Sequence, residues 1–452
     1  MSMNTDLRPQ YKQLVEKLKT ELSGNKQRLR VKKNTISNLF RYEGRQQTEA
    51  RIIDLSQFNK PLYLDPEKQT LEVMGLSTYE SIVDFTLPQG FLPLITPELK
   101  HITVGGATVG IGIETNSYKF GFVHDGLLEA DVLLPDGHVV TAKPTGDYSD
   151  LFYGLPNSYG TLGYILRAKI QLMPAKPYVH LVTQRFNDTK SFLAAMKQAV
   201  SNPKLDYIES MIYGKDELYL TLCNQTDKAP KLTSVYGETI FYREISKPGE
   251  LWLPTHDYMF RYDPEWFWAI PETPFYAKWR KYSPKSLRRS SFYHRYNKWQ
   301  EAMTNALPFM KGADDGLEHL IQDWEVPWKQ AQGLLDHALA NLDLNSKPIM
   351  AAPIKTPAKA TGYPMLADEL YFNLGSYNFV KRQPGQEAFG STKLMDAYTF
   401  EHDGIKMLYS STFLSEKEFD RIYNGKALQR LQHKYDPLGL LPSLYEKVVK
   451  AH

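Results

Sequence analysis

Between Thr103 and Thr115 the chain reads Thr-Val-Gly-Gly-Ala-Thr-Val-Gly-Ile-Gly-Ile-Glu-Thr, with Gly105, Gly106, Gly110 and Gly112 set among β-branched residues. Glycine costs extra conformational entropy on folding, so such crowding points to backbone that must come close to something. Consecutive N–H groups in a glycine-rich turn can hold an anion without a lysine or a metal, which makes a phosphate the expected ligand. Two familiar phosphate sites do not match. Gly105 and Gly110 have the spacing of a P-loop, but Ile111 stands where its lysine must be. Gly110 and Gly112 begin a dinucleotide fingerprint, yet Thr115 takes the third position, where helix packing asks for glycine or alanine. A ligand-free bent strand is the bland alternative.

The downstream residues extend the pattern. Leu127 to Leu134 reads as a strand, Pro135-Asp136-Gly137 as a turn and His138 to Ala142 as the returning strand, since Asp-Gly between apolar runs is a strong hairpin signal. Ser149-Asp-Leu-Phe-Tyr153 follows, then a second glycine turn, Gly160-Thr-Leu-Gly163, before the predicted strand Tyr164 to Leu172. Two glycine segments thus bracket one hairpin.

That order of parts resembles the vanillyl-alcohol oxidase and p-cresol methylhydroxylase (PCMH-type) FAD-binding superfamily. Within it the chain is similar to the family of Δ24-sterol reductases. The likeness rests on Thr103-Val-Gly-Gly, Gly110-Ile-Gly-Ile-Glu-Thr115, Ser117-Tyr-Lys-Phe-Gly121, Ser149-Asp-Leu-Phe-Tyr153, Gly160-Thr-Leu-Gly163 and Pro174-Ala-Lys-Pro-Tyr178. It continues in Glu369 to Tyr377, Met407-Leu-Tyr409 and Leu444-Tyr-Glu-Lys447, and thins to scattered positions between His180 and Gln330. The resemblance implies noncovalent FAD, with contacts at Thr103, Val104, Gly105, Gly106, Ala107, Thr108, Gly110, Gly112, Ile113, Glu114, Thr115, Ser117, Lys119, Gly160, Thr161, Gly163 and Ile165. His124 raises the question of a tether, but no residue clearly matches a tethering position.

An α+β chain follows: a two-lobed PCMH-type FAD-binding domain over residues 1–175, an α+β substrate (cap) domain over 176–400, and a C-terminal segment, 401–452, returning toward the flavin domain. Local signals agree with this order. Tyr11, Leu14, Val15, Leu18 and Leu22 recur at helical spacing before Gly24. Arg28 to Lys32 and Ile52 to Leu55 read as strands, and Leu62 to Leu64 with Thr70 to Val73 as a hairpin. Ser77 and Glu80 have capping-box spacing at the head of a helix that Pro88 and Gly90 close. Where most of the superfamily has a Gly-rich pyrophosphate loop, Lys33 to Arg41 has no glycine; Asn34, Thr35, Ser37 and Asn38 are expected to bind through side chains instead. Further on, Val179 to Gln184 and Glu217 to Leu222 read as strands and Lys190 to Val200 as a helix.

Composition narrows the classes. The 452 residues, 42% hydrophobic, are enough for two or three packed domains. A net charge of +3 is too small to argue for a nucleic-acid partner. The single cysteine, Cys223, excludes an internal disulfide and reads as a small buried side chain. No signal-peptide core and no apolar run of membrane-spanning length occurs, which gives the expectation of a cytoplasmic protein with at most peripheral membrane contact. The animal Δ24-sterol reductases differ in carrying an N-terminal membrane segment. No metal motif and no serine-hydrolase elbow is present.

In a flavin enzyme the cofactor carries the redox chemistry, so the residues to find are an acid and a pocket. Saturating a carbon–carbon double bond adds a hydride to one carbon and a proton to the other. Tyr371 and Tyr377 fall on one face of a predicted strand together with Asn373, and either tyrosine is a candidate donor. His256 and Tyr258 resemble a histidine and tyrosine pair in the reductases. The run from Lys278 to Trp299 mixes cations with aromatics, as a surface for anionic lipid does, or as a basic helix with inward-packed rings does.

The expected activity is reduction of an alkene in a sterol or related isoprenoid lipid, with NADPH as the donor that the resemblance implies. Two alternatives stay open: an FAD-dependent oxidase or dehydrogenase of a hydroxylated substrate such as a sugar alcohol, and a membrane-associated flavin-fold binding protein without turnover.

Overall fold

The structure is a computed structural model, and the residues described are 6–35, 50–237, 239–268, 273–306, 316–357 and 359–449. Helices and strands mix in several sheets, an α+β arrangement. Asn34 and Thr35 of the predicted side-chain loop are described; Ser37 and Asn38 lie outside the described residues.

The first large sheet runs, in spatial order, Pro61–Asp65, Thr70–Met74, Tyr164–Pro174, Leu127–Leu133 and Val139–Ala142, with Phe91–Pro93 paired to the far end of Tyr164–Pro174. The two predicted hairpins are both there, antiparallel in register. Leu29–Lys32 and Arg51–Asp54 form a separate parallel pair. The helix Arg8–Leu22 buries Tyr11, Val15, Leu18 and Leu22 and ends before Gly24, whose φ of 67° reverses the chain. Tyr11 fixes that helix to the sheet: its hydroxyl donates to Asp131 over 2.7 Å, and Asp131 in turn accepts from the Arg167 guanidinium at 2.8 Å.

Helix Tyr79–Thr86 starts one residue later than its sequence suggests. The cap is Thr78, whose hydroxyl accepts from the Ser81 N–H, and not Ser77. Glu80 is free of the cap because Arg289 and Lys100 draw its carboxylate away.

Two four-stranded antiparallel sheets make up the rest: Tyr207–Gly214, Glu217–Thr226, Tyr178–Phe186 and Gly249–Pro254; and Met350–Lys355, Leu370–Lys381, Leu317–Pro327 and Ile405–Lys406. They meet edge to edge where Ile212 and Ile349 exchange two backbone hydrogen bonds of 2.9 Å, so the strands form one broad surface. Helices Thr189–Val200, Ala331–Asn341 and Gly390–Glu401 cover it, burying Phe192, Met196, Leu334, Leu335 and Met395. Cys223 is buried in Glu217–Thr226, where desolvation raises the thiol well above its usual range.

Candidate cofactor and proton site

The glycine-rich segment is a short helix, Val104–Val109, rather than a turn. Thr103 caps it, with its hydroxyl accepting from the Gly106 N–H at 3.2 Å. The Val104 and Gly105 N–H groups donate to the carbonyls of Ser77 and Gly75. The expected nest of free N–H groups is therefore replaced by a capped end, because threonine at the N-cap and a neighbouring strand end claim the donors first.

The glycines divide by purpose. A Cβ on Gly105 would lie 2.8 Å from the Gly75 carbonyl oxygen, and one on Gly112 would lie 2.6 Å from Val123, so both serve close packing. Gly106 is exposed, and a Cβ there would meet only the Thr103 hydroxyl, at 2.9 Å. Its open face suits a ligand pressed against main chain.

The second glycine segment comes to the first directly. The Tyr159 N–H donates to the Val109 carbonyl at 3.0 Å, and its hydroxyl to the Gly110 carbonyl at 3.3 Å. Gly160 and Gly163 take φ of 79° and 127°, and Thr161 closes the turn onto the Ser158 carbonyl. Buried polar atoms without a hydrogen-bond partner among the described residues border these segments: Ser77 Oγ, Thr96 Oγ1 and Asn157 Oδ1. A nucleotide offers many donors and acceptors that such atoms lack. On these grounds the residues present fit FAD, which Gly106 and the second turn would hold.

Other predicted contacts face elsewhere. Val104, Ala107, Thr108 and Ile165 are buried in packing, with Thr108 donating to the Val104 carbonyl. Ser117 accepts from the Glu114 N–H at 3.0 Å. Lys119 turns to Asp206 at 3.6 Å and to the Leu205 carbonyl at 3.3 Å, away from the glycine helix. His124 stacks on Phe122, and its buried Nδ1 has no hydrogen-bond partner among the described residues.

Beyond Gly112 the chain enters a charged interior. Glu114 accepts from the Glu98 N–H at 2.9 Å, and Thr115 meets the Tyr258 hydroxyl at 3.4 Å. Behind them Arg261, 2% exposed, donates to Glu98 at 2.5 Å and to both oxygens of Glu209 at 3.1 Å, and its guanidinium lies 4.3 Å from the centre of the Tyr258 ring. A narrow cleft lies here, lined by Thr96, Glu114, Asn116, Tyr207, Tyr258 and Arg261. Burial drives the Glu98 carboxyl up to about 7, helped by Glu209 and opposed by Arg261. Glu114 is raised as well, first by desolvation and then by Glu98.

The Glu98 shift has a consequence for stability. A carboxyl whose folded value lies above its unfolded one stabilises fully below about 4.5 and loses that contribution as pH climbs through about 7. The Glu98→Gln variant is expected to gain on the wild type across that window. Urea midpoints of both proteins at the two ends of the range check it; a constant difference would refute the assignment.

The predicted catalytic residues are only partly gathered. Tyr258 sits in this interior, but His256, two positions away on helix Thr255–Met259, points outward to Asp84 at 3.1 Å. Tyr371 and Tyr377 share strand Leu370–Lys381 yet serve different neighbours. The Tyr371 hydroxyl accepts from the Leu366 N–H at 3.1 Å. Tyr377 donates to Asp323 at 3.0 Å, with Phe267 stacked on its ring at 4.1 Å. Sequence reasoning passed over Asp323, Tyr409, Arg261, Glu209 and Glu98. One signal was available: Asp323 and Glu325 are alternate residues in a strand otherwise destined for the core.

Residues near the C-terminus also reach the second glycine turn and Asp150. Lys434 and Tyr435 bind Asp150, and Lys447 donates to the Tyr159 carbonyl in the second glycine turn.

The chain is also similar in sequence to known proteins. A family model described as "FAD binding domain" matches residues 15–143. Delta(24)-sterol reductase of Homo sapiens is 27% identical over 411 residues, covering 86% of this chain and 76% of the relative. Delta(24)-sterol reductase of Arabidopsis thaliana is 28% identical over 450 residues, covering 88% and 76%. Cytokinin dehydrogenase 7 of Oryza sativa subsp. japonica is 31% identical over 165 residues, only 35% of this chain and 30% of the relative. With an FAD binding domain matched in the cofactor segment and a likeness to Delta(24)-sterol reductases over most of its length, the chain is similar to that family and is an FAD-dependent oxidoreductase.

Proposed function

We propose that the protein saturates an isolated carbon–carbon double bond in a sterol or related isoprenoid lipid, with NADPH as the source of electrons. Bound FAD supplies hydride transfer from its reduced form. The chain supplies the grip on the cofactor and the proton. The observation that carries the reading is the likeness to Delta(24)-sterol reductases across 86% of the chain, through the substrate-domain strands as well as the glycine segments. The buried carboxyls of Glu98, Glu114 and Asp323, each pushed upward by desolvation, suit chemistry that consumes a proton.

A lipid substrate has to be collected from a bilayer. The helices Pro274–Tyr282 and Ser290–Ala306 leave Phe275, Tyr282, Tyr296 and Trp299 exposed, in a segment that also exposes Lys278, Lys281 and Lys285. Rings at headgroup depth with lysines on phosphate would hold a cytoplasmic protein to an anionic membrane. Among the described residues no helix is long and apolar enough to cross one.

The test is spectroscopic. Purified protein should carry a flavin that NADPH bleaches under anaerobic conditions. A Δ24-unsaturated sterol in vesicles should restore the colour and leave as a product heavier by two hydrogens. Flavin indifferent to NADPH, combined with oxygen uptake on sugar alcohols, would favour the oxidase reading instead.

A further inference from the structure

Three residues other than glycine hold a left-handed backbone at the glycine segments. Ile111, with φ of 56°, lies between Gly110 and Gly112, and Asn157 and Tyr159, with φ of 61° and 49°, open the second turn. A β-branched residue such as Ile111 rarely takes that conformation, and it persists only where the surroundings hold it there.

Tyr159 joins the two segments and is itself held from a third direction. Its N–H and its hydroxyl donate to the Val109 and Gly110 carbonyls, which fixes the chain immediately before Ile111. Its own carbonyl accepts from the Lys447 Nζ, 288 residues later in the chain. Lys447 is half-buried, on the helix Leu444–Val448. Because the peptide unit is planar, holding the Tyr159 carbonyl also fixes the direction of the Gly160 N–H in the same unit. That N–H makes a long bond inside the protein, 3.4 Å to the Ser158 hydroxyl.

The packing around the turn comes from the same part of the chain. Ile111 and Tyr159 belong to one apolar cluster with Phe419, Tyr423, Leu444 and Val448. Leu431, on the helix Gly425–Tyr435, fills the space that a Cβ on Gly154 would take, at 2.7 Å, and Leu162 borders the same spot at 3.0 Å. Thr161 lines a narrow cleft together with Gln429, Gln432, Ser443 and Tyr445.

We infer that Lys447 is a positioning residue for the cofactor: by holding the Tyr159 carbonyl it keeps the second glycine turn in its left-handed form against the first, so that flavin retention depends on the docked helix Leu444–Val448. The inference rests on the reading that Gly106 and the second turn hold FAD. What Lys447 contributes is a charge-assisted hydrogen bond, which an apolar side chain of similar length does not replace. The coupling is reciprocal: whatever the docked helix adds to flavin binding, bound flavin adds to the docking of the helix.

The test follows FAD release from the purified holoenzyme, read as the rise in flavin fluorescence after dilution. Lys447→Met should release FAD about 10-fold faster than wild type or more, and Lys447→Arg should recover much of the difference. Lys447→Gln keeps a neutral donor, is the gentler change, and should fall between wild type and Lys447→Met. Lys434→Met is the control, since it breaks an exposed ion pair to Asp150, outside the two glycine segments, and should release FAD at the wild-type rate. Hydrogen exchange of the holoproteins should show residues 157–163 and 444–448 less protected in Lys447→Met than in wild type. Wild-type release rates in Lys447→Met and Lys447→Gln, or equally fast release from Lys434→Met, overturn the assignment while leaving the flavin reading intact. Wild-type protein that neither carries FAD nor takes it up overturns both.

Discussion

Replacing Arg261 with methionine is expected to destabilise the protein by about 3–5 kcal/mol, because it strips a buried pair of carboxyls of their shared counter-charge. Arg261 is 2% exposed and Glu209 is fully buried, so water cannot take over the lost contacts. The guanidinium also donates to the Tyr258 carbonyl at 2.9 Å, while Tyr262 donates its hydroxyl to Glu209. Glu98 can lower its cost by holding a proton, but Glu209 keeps only the tyrosine. Combining Arg261→Met with Glu209→Gln should recover part of the loss, and that recovery separates buried charge from simple loss of packing. Equilibrium urea unfolding of the single and double variants measures it. A single variant as stable as wild type would mean that the network does not hold these three segments together.

The second large effect concerns Gly106 and is read as occupancy rather than stability. Gly106→Val should leave the protein folded and remove most of its flavin. The added Cβ meets only the Thr103 hydroxyl inside the protein, and the side chain grows from the exposed position assigned to the cofactor. Disturbing that cap costs about 1 kcal/mol. Gly105→Ala is the matched control. Its Cβ would press on the Gly75 carbonyl at 2.8 Å, an overpacking expected to cost about 1–3 kcal/mol. The expected pattern is a colourless but stable Gly106→Val and a less stable Gly105→Ala. Full flavin content in purified Gly106→Val would remove the glycine helix from the cofactor site.

The contrast between these neighbouring glycines shows the reach of sequence reasoning. Their crowding announced close approach, and the structure contains it. Nothing in the spacing told that Gly105 faces Gly75 of a neighbouring strand end while Gly106 faces outward, because that depends on which element arrives alongside. Thr103 likewise read as part of a turn, and became a cap once the helix behind it was packed. Thr78 displaced Ser77 for a similar reason: both have a hydroxyl, and the backbone angle at the last non-helical residue decides between them.

Local order was legible wherever the signal is itself local. Turn residues between apolar runs gave the hairpins at Pro61–Met74 and Leu127–Ala142, and periodicity gave helices Arg8–Leu22 and Thr189–Val200. The alternation that put Tyr371 and Tyr377 on one strand face was correct as geometry, yet Tyr371 turns to Leu366 and Tyr377 to Asp323. The partner that distinguishes them comes from a strand some fifty residues earlier in the chain.

By itself the sequence determined the α+β class and the two glycine segments, set by backbone freedom and short-range pattern, while its resemblance to a flavoprotein superfamily carried the cofactor. The buried polar clusters were decided only by tertiary structure. Asp323, Tyr377 and Tyr409 come from separate strands and a loop, and Arg261, Glu98 and Glu209 from three distant segments. An isolated acidic or basic residue in a sequence does not reveal its counter-charge, its depth or its proton, since each is a property of the dielectric and the neighbours that folding brings to it.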